Sequence, residues 1–154
     1  MQQIICFGAN VACLPHDASG HHVPVDVYQD NLVAMINSPE VRAHNPKILL
    51  ATPPPIDERQ QIVVDQAKGY SQLRRTAQNT ERYVKACKEV GLQLKVPVVD
   101  IWTAFLTETG WKKGEPIIGG QDVVKDETFQ SLFTDGGYCT HIASCIGEEH
   151  GSCF

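Results

Sequence analysis

The stretch Ile5-Cys6-Phe7-Gly8-Ala9-Asn10-Val11-Ala12 joins an apolar strand to a Gly-Ala-Asn turn. In a parallel sheet, the turn after a strand lies at the edge where ligands bind, so it can present one amide side chain there. The amide of Asn10 can donate a hydrogen bond to charge that develops on a carbonyl oxygen during acyl transfer. An asparagine chosen only for turn geometry is the competing interpretation.

Two further segments resemble the first strand. Residues 2–8, 47–52 and 96–101 are short, rich in β-branched residues or leucine, and bounded by proline or glycine, which predicts three strands. Their apolar residues are continuous rather than alternating, which indicates burial on both faces, as in a parallel sheet.

Helical patterns lie between these strands. Asp26 is a candidate cap of one helix, which we expect to end at Pro39 or at Asn45-Pro46. A longer helix is predicted from about Gly69 to Val90, with Gly91 as its stop. We expect its polar face, and the doublets Arg74-Arg75 and Lys112-Lys113, to be solvated. Strands alternating with helices predict an α/β fold in which helices cover a parallel sheet.

Composition bounds the class of protein. The chain has 154 residues, of which 42% are hydrophobic and 20% charged, enough for one domain with a core. A net charge of -5 argues against a nucleic-acid or anionic-membrane surface. No apolar run approaches the ~18 residues of a membrane span. We therefore expect a soluble intracellular protein, in which Cys6, Cys13 and Cys87 pack as small hydrophobic residues.

Two other segments carry candidate chemistry. Pro53, Pro54 and Pro55 follow the second strand and stiffen a loop that could form a pocket wall. The adjacent carboxylates of Asp57 and Glu58 could act as an acid–base pair, but a solvated pair is the simpler interpretation.

Near the end of the chain, Asp135 follows a helical segment at 127–133 and could orient a histidine base. The nearest histidine downstream is His141. A helix-terminating Asp-Gly turn is the alternative.

Five segments in order resemble the Ser-Gly-Asn-His (GDSL-type) hydrolases, in the branch of the isoamyl acetate-hydrolysing esterases. The resemblance covers about residues 4–136 and rests on Phe7-Gly8-Ala9-Asn10, Cys13-Leu14-Pro15, the stretch from His22 to Leu32, the stretch from Thr52 to Glu58, and the stretch from Val98 to Trp102. It implies a flavodoxin-like three-layer α/β/α fold. It also implies hydrolysis of small carboxylic esters through a serine acyl-enzyme, without metal or organic cofactor.

Family roles transfer only where positions match. Asn10 matches the oxyanion-hole asparagine, with Gly8 and the prolines as pocket wall, and Asp135 matches the acid of the Asp-x-x-His block. The histidine of that block falls at Tyr138, which leaves His141 as a displaced candidate base. The family usually has Asp after the asparagine where this chain has Val11, so a polar contact that steadies the turn is expected to be missing.

The ends depart from the family. Its nucleophile lies in a Gly-Asp-Ser block within a first βα unit, and no Gly-Asp-Ser occurs in this sequence. We therefore interpret residues 1–136 as a partial esterase domain that lacks this unit and is inactive alone. Residues 137–154 are interpreted as a divergent, poorly ordered tail, as a changed splice site or reading frame would produce. An uncovered strand edge predicts self-association.

Two alternatives remain open. The chain could be a non-catalytic relative that binds a small acyl ligand or a partner. Alternatively, the tail could bind zinc, although its spacing fits no Cys-x-x-Cys pattern; the ligands would be Cys139, His141, Cys145, His150 and Cys153.

Overall fold

The computed structural model describes residues 2–133. Its sheet has three strands, β1 (Gln2–Cys6), β2 (Lys47–Ala51) and β3 (Val98–Val99), in the order β1-β2-β3. Both pairings are parallel. The three predicted strands are therefore confirmed, each shorter than its apolar segment.

Six helices lie within residues 2–133, and they are α1 (Val25–Asn37), α2 (Pro39–Ala43), α3 (Glu58–Ala67), α4 (Ala77–Leu94), α5 (Ile101–Glu108) and α6 (Glu127–Ser131). Two of them, α3 and α5, were not predicted. Each follows an aspartate whose side chain caps the helix. The Asp57 carboxylate accepts from the backbone N–H of Arg59, and that of Asp100 accepts from Thr103.

The longest helix differs from its prediction at both ends. It begins at Ala77 rather than near Gly69, because the Thr76 side chain caps it by accepting from the Asn79 N–H. Gly91 does not stop it, and the helix ends instead at Leu94, followed by the C-cap Lys95, whose φ is 54°. A Cβ on Gly91 would lie 2.2 Å from Cγ2 of Val98. Glycine at this position thus allows α4 to pass close to β3.

Helix α1 begins at Val25, so Asp26 lies in its first turn and does not cap it. The helix ends at Asn37, in agreement with the expected stop at Pro39. Ser38 follows and its side chain caps α2.

One hydrophobic cluster joins α1 and α4 to one face of the sheet. Its main members are Ile5, Tyr28, Leu32, Ile36, Leu50, Tyr83, Cys87 and Val90. A second cluster packs Ile101 and Phe105 of α5 against Ala51 of β2. Ala51 is adjacent to Leu50 in the strand, so its side chain points to the opposite face of the sheet. The sheet therefore has helices on both faces, which confirms the α/β/α architecture.

Strand β1 is less buried than its apolar sequence predicts. Ile5 is buried, but Ile4 is 40% exposed and Phe7, just after the strand, is 51% exposed. Within residues 2–133, β1 pairs only with β2, so the outer edge of β1 is open in the part described.

Among residues 2–133, no helix is both long and apolar enough to cross a membrane.

Candidate active site

Asn10 lies on the loop that follows β1, at the carboxyl edge of the sheet, and is exposed. No residue within 2–133 forms a hydrogen bond to its side-chain amide. Its own backbone carbonyl accepts from the Sγ of Cys13 at 3.1 Å. Within the described part of the chain, the amide group is therefore unengaged at the edge of the sheet where the resemblance places the oxyanion hole.

The backbone of this loop is held at every residue. Each carbonyl from Phe7 to Cys13 accepts at least one hydrogen bond. The donors, in chain order, are Tyr28, Ala12, Arg75, Cys13, Val23 and Asn79, with Asn79 serving both Ala12 and Cys13 and His22 also donating to Cys13. Because a loop whose carbonyls are all bonded has few alternative conformations, the position of Asn10 is fixed before any ligand arrives.

Three of these donors are side chains from distant elements. The Tyr28 hydroxyl donates to Phe7 O at 2.9 Å, Arg75 donates to Ala9 O at 2.7 Å, and Asn79 Nδ2 donates to Ala12 O at 2.8 Å. All three side chains are buried. None of the three residues was predicted to have a role at the site, although Tyr28 lies within one of the family-like segments. These contacts steady the turn, for which Val11 had suggested a missing polar contact.

Burial keeps two of the donor groups protonated. The pKa of the Tyr28 hydroxyl is raised well above its usual value, mainly by burial. Burial also raises the pKa of the Cys13 thiol to about 11, although the charge of Arg75 opposes this shift. Both groups therefore carry the proton that they donate at neutral pH.

Gly8 and Pro53 meet where the loop after β1 adjoins the loop after β2. Gly8 has a φ of +123°, and a Cβ on it would lie 2.9 Å from Cγ of Pro53. Pro53 and Pro55 are buried and Pro54 is half-buried. The structure thus brings two of the proposed wall residues together, in contact with each other. Their role as a pocket wall stays a prediction.

Asp57 and Glu58 are not solvated, contrary to expectation. They are 1% and 8% exposed. Besides capping α3, Asp57 accepts from Gln130 Nε2 at 3.1 Å. Glu58 accepts from the N–H of Ala77 at 2.7 Å and from that of Gln121 at 3.1 Å. Both carboxylates accept hydrogen bonds from backbone N–H groups and so hold backbone segments in place.

The doublet Arg74-Arg75 is also buried, which corrects its interpretation as a solvated face; the two residues are 8% and 5% exposed. Arg74 Nε lies 2.8 Å from Asp65 Oδ1 in a buried ion pair. Arg75 Nη2 donates to Gln61 Oε1 at 3.1 Å. Both arginines precede α4 and fasten α3 to it, whereas Lys112 and Lys113 are exposed as predicted.

The residue that follows β3 is Asp100. Burial disfavours its charge, but hydrogen bonds from Lys88 and Thr103 outweigh this effect, so its pKa lies below the usual value for aspartate. Its Oδ2 lies 2.5 Å from Lys88 Nζ. Asp100 is thus a helix cap with an ion-pair partner.

A cavity of about 520 Å³ lies between the start of α4 and residues 111–123. Glu58, Gln78, Trp111 and Gln121 line it, and Asn10 does not. No group of three His, Cys, Asp or Glu side chains within residues 2–133 could hold a metal ion.

The remaining predicted site residues lie outside the described residues. These are Asp135 and His141, together with Tyr138 and the cysteines and histidines of the proposed zinc tail.

Comparison with known proteins identifies relatives. Residues 3–117 match the GDSL-like Lipase/Acylhydrolase family. The chain is 34% identical over 110 residues to "GDSL esterase/lipase At5g45920" of Arabidopsis thaliana, covering 70% of this chain and 46% of that protein. It is also 34% identical over 100 residues to the "Isoamyl acetate-hydrolyzing esterase 1 homolog" of Rattus norvegicus, covering 64% of this chain and 40% of that protein.

A solved structure supports the fold. The lipase/acylhydrolase from Enterococcus faecalis superimposes with a TM-score of 0.59 at 24% identity, over 92% of this chain and 53% of that one. The chain spans about half the length of the curated relatives that it matches. Since the match to the family covers most of the sequence, the chain belongs to the GDSL-like lipase/acylhydrolase family.

Proposed function

We propose that the chain contributes to a carboxylic ester hydrolase for small, acetate-like esters, in which Asn10 is the oxyanion-hole donor and a serine forms an acyl-enzyme. The observation that carries this proposal is the fully hydrogen-bonded loop from Phe7 to Cys13, which holds an exposed, unengaged amide at the carboxyl edge of the sheet. The similarity to isoamyl acetate-hydrolysing homologues supports the choice of substrate.

The chemistry assigned to Asn10 follows from the charge of the reaction. When a serine oxygen attacks an ester carbonyl, the carbonyl oxygen gains negative charge in the tetrahedral intermediate. An N–H donor already aimed at that position stabilises the charge without reorganising. A loop with every carbonyl bonded supplies such a donor, because its position is set during folding.

The reaction also needs a nucleophile and a base, and the sequence of this chain contains neither in the motif that the family uses. No Gly-Asp-Ser occurs in its sequence, and Tyr138 takes the place of the family histidine. Tyrosine cannot accept the serine proton near neutral pH as imidazole can. We therefore propose that this chain alone does not hydrolyse esters. In this proposal Asp135 is the acid, and His141 is the displaced candidate for the base. A serine acyl-enzyme requires no metal or organic cofactor.

A chimera tests the role of Asn10. A Gly-Asp-Ser βα unit from an active family member is joined ahead of Gln2, and that member's Asp-x-x-His segment replaces residues 134–154. We expect the chimera to hydrolyse nitrophenyl acetate and the unmodified chain to remain at the background rate. Asn10→Ala should lower kcat of the chimera by about 10²–10³. The matched control is Asn31→Ala, at an exposed asparagine of α1, which should leave kcat unchanged.

Two results would count against the proposal. A chimera that retains its rate after Asn10→Ala would show that the amide does not stabilise the oxyanion. Hydrolysis by the unmodified chain, lost on Asn10→Ala, would show that this chain is competent alone. A folded chimera without activity that still binds the ester would favour the non-catalytic alternative.

A further inference from the structure

We propose that Arg75 is a positioning residue for Asn10. The buried guanidinium of Arg75 holds the peptide before the asparagine and so restricts the direction in which the Asn10 side chain leaves the loop. The inference rests on the proposed function for its catalytic consequence, but not for its structural content. Arg75 is buried and donates to the backbone of Ala9, so it acts on Asn10 through the loop.

The contact spans two elements that are far apart in sequence. Arg75 Nη1 donates to Ala9 O at 2.7 Å, across 66 residues of chain. That carbonyl belongs to the peptide unit whose nitrogen is the backbone nitrogen of Asn10. Fixing the plane of this peptide restricts the backbone of Asn10, and therefore the direction in which its side chain leaves the loop.

The charge of Arg75 is unusual for a buried group. The residue is 5% exposed, and within residues 2–133 its guanidinium forms no ion pair. Its two bonded nitrogens face neutral acceptors, Ala9 O and Gln61 Oε1, and its Nε is buried without a partner in the described part of the chain. A buried cation needs compensation, and the compensation that Arg75 receives within residues 2–133 comes from carbonyl dipoles.

The neighbouring residue shows what a purely structural arginine looks like here. Arg74 is equally buried, but it pairs directly with Asp65. Gln61 links Arg75 to the same aspartate only indirectly, because Gln61 Nε2 donates to Asp65 Oδ1 at 2.7 Å. Two carboxylates thus face Arg74, Asp65 at 2.8 Å and Asp17 at 4.0 Å, whereas no carboxylate within residues 2–133 forms an ion pair with Arg75. A charged donor makes a shorter and stronger hydrogen bond to a carbonyl than a neutral donor does.

Residues 74–79 hold the loop at three points. Leu14 N donates to Arg74 O at 2.7 Å, Arg75 holds Ala9, and Asn79 holds Ala12. Arg75 is the member of this set nearest to Asn10 along the loop, so its removal should affect Asn10 more than the rest of the domain.

The test compares local and global opening in the full chain labelled with ¹⁵N. Amide hydrogen exchange is measured at Ala12, whose N–H donates to Gly8 O within the loop, and at Cys87 in the buried middle of α4. The variants are Arg75→Met, Arg75→Lys and, as a control, Lys85→Met, which removes an exposed cation of α4.

In Arg75→Met we expect protection at Ala12 to fall at least tenfold more than protection at Cys87. The order parameters of the amides at residues 9–11 should fall from about 0.85 to below about 0.6. Arg75→Lys should recover part of both effects, since an ammonium supplies a charged donor without the fork. Lys85→Met should leave Ala12 unchanged.

Equal loss of protection at Ala12 and Cys87 would overturn the proposal, because it would make Arg75 a general stabiliser. An unchanged Ala12 would overturn it as well. If Arg75→Met does not fold, the same comparison in Arg75→Lys decides, with a greater loss at Ala12 expected. Arg75→Met in the chimera should lower kcat far more than it changes KM. If Arg75→Met loosens the loop but leaves kcat unchanged, the effect of Arg75 on the loop stands and the proposed role of Asn10 is refuted.

Discussion

Replacing Gly8 by alanine should destabilise the protein through two separate effects. The φ of +123° disfavours any side chain, at a cost of roughly 1–3 kcal/mol. The new Cβ would also lie 2.9 Å from Cγ and 3.1 Å from Cβ of Pro53, and 3.2 Å from the Tyr28 hydroxyl. Forcing a methyl group into such a contact costs about 1–3 kcal/mol. We expect the free energy of unfolding to fall by about 2–6 kcal/mol in total.

Gly69 provides the matched control, because it shares the positive φ but not the contact. Its φ is +86° and a Cβ placed on it would have no atom of another residue within 4 Å, so Gly69→Ala should cost only about 1–2 kcal/mol. Both variants are compared by equilibrium urea unfolding, followed through the fluorescence of the buried Trp102 and Trp111. A Gly8→Ala protein no less stable than Gly69→Ala would refute the close approach of Pro53 to the loop.

Further predictions concern charge, thiols and association. Asp65→Ala should lower the free energy of unfolding by about 3–5 kcal/mol in urea titrations, because it leaves the buried Arg74 with the more distant Asp17, at 4.0 Å, in place of its 2.8 Å partner. Asp100 has a lowered pKa, so its carboxylate stabilises the fold above the ordinary aspartate pKa of about 4 and less as the pH falls through its folded value. Asp100→Asn should cost about 0.5–1 kcal/mol at pH 7, a difference that closes in acid unfolding curves. Cys87, whose pKa burial raises to about 11, should resist a disulfide reagent at pH 8 until urea unfolds the chain. We propose that the open edge of β1 supports self-association, which Ile4→Lys should abolish in light scattering at rising concentration.

The sheet could be predicted from sequence because its signals are local. Each strand is a short apolar run ended by proline, glycine or a polar turn, and the residues that end it are its neighbours in the chain. The residue at which a helix begins was harder to predict. Leu73 continues the apolar spacing of α4 backwards by one turn, but the capping side chain of Thr76 decides where the helix begins. Hydrophobic periodicity detects the spacing of Leu73 but does not detect the capping hydrogen bond of Thr76.

The support of the candidate site could not be predicted, since its contacts are long-range. Arg75 and Ala9 are 66 residues apart, and Asn79 and Ala12 are 67 apart. In sequence, two adjacent arginines look like a solvated doublet, and only the fold shows that each has a buried acceptor. The location of Asn10 was predictable, because it depends only on the place of this residue just after a strand; its role stays a prediction. Asp57 and Glu58 were misread for the opposite reason, since the backbone N–H groups that they accept from carry no sequence signature.

The way in which the Phe7–Cys13 loop is held also bears on how the family could diversify. The surrounding structure holds this loop through hydrogen bonds to its carbonyl oxygens, and every residue type has the same backbone carbonyl. Side chains at Ala9 and Asn10 can therefore be exchanged while the path of the chain is inherited unchanged, whereas Val11 packs against the core. A library randomised at Ala9 and Asn10 should be rich in folded members, and new donors could be screened there. Intolerance to mutation should appear instead at Tyr28, Arg75 and Asn79, whose buried side chains hold the loop.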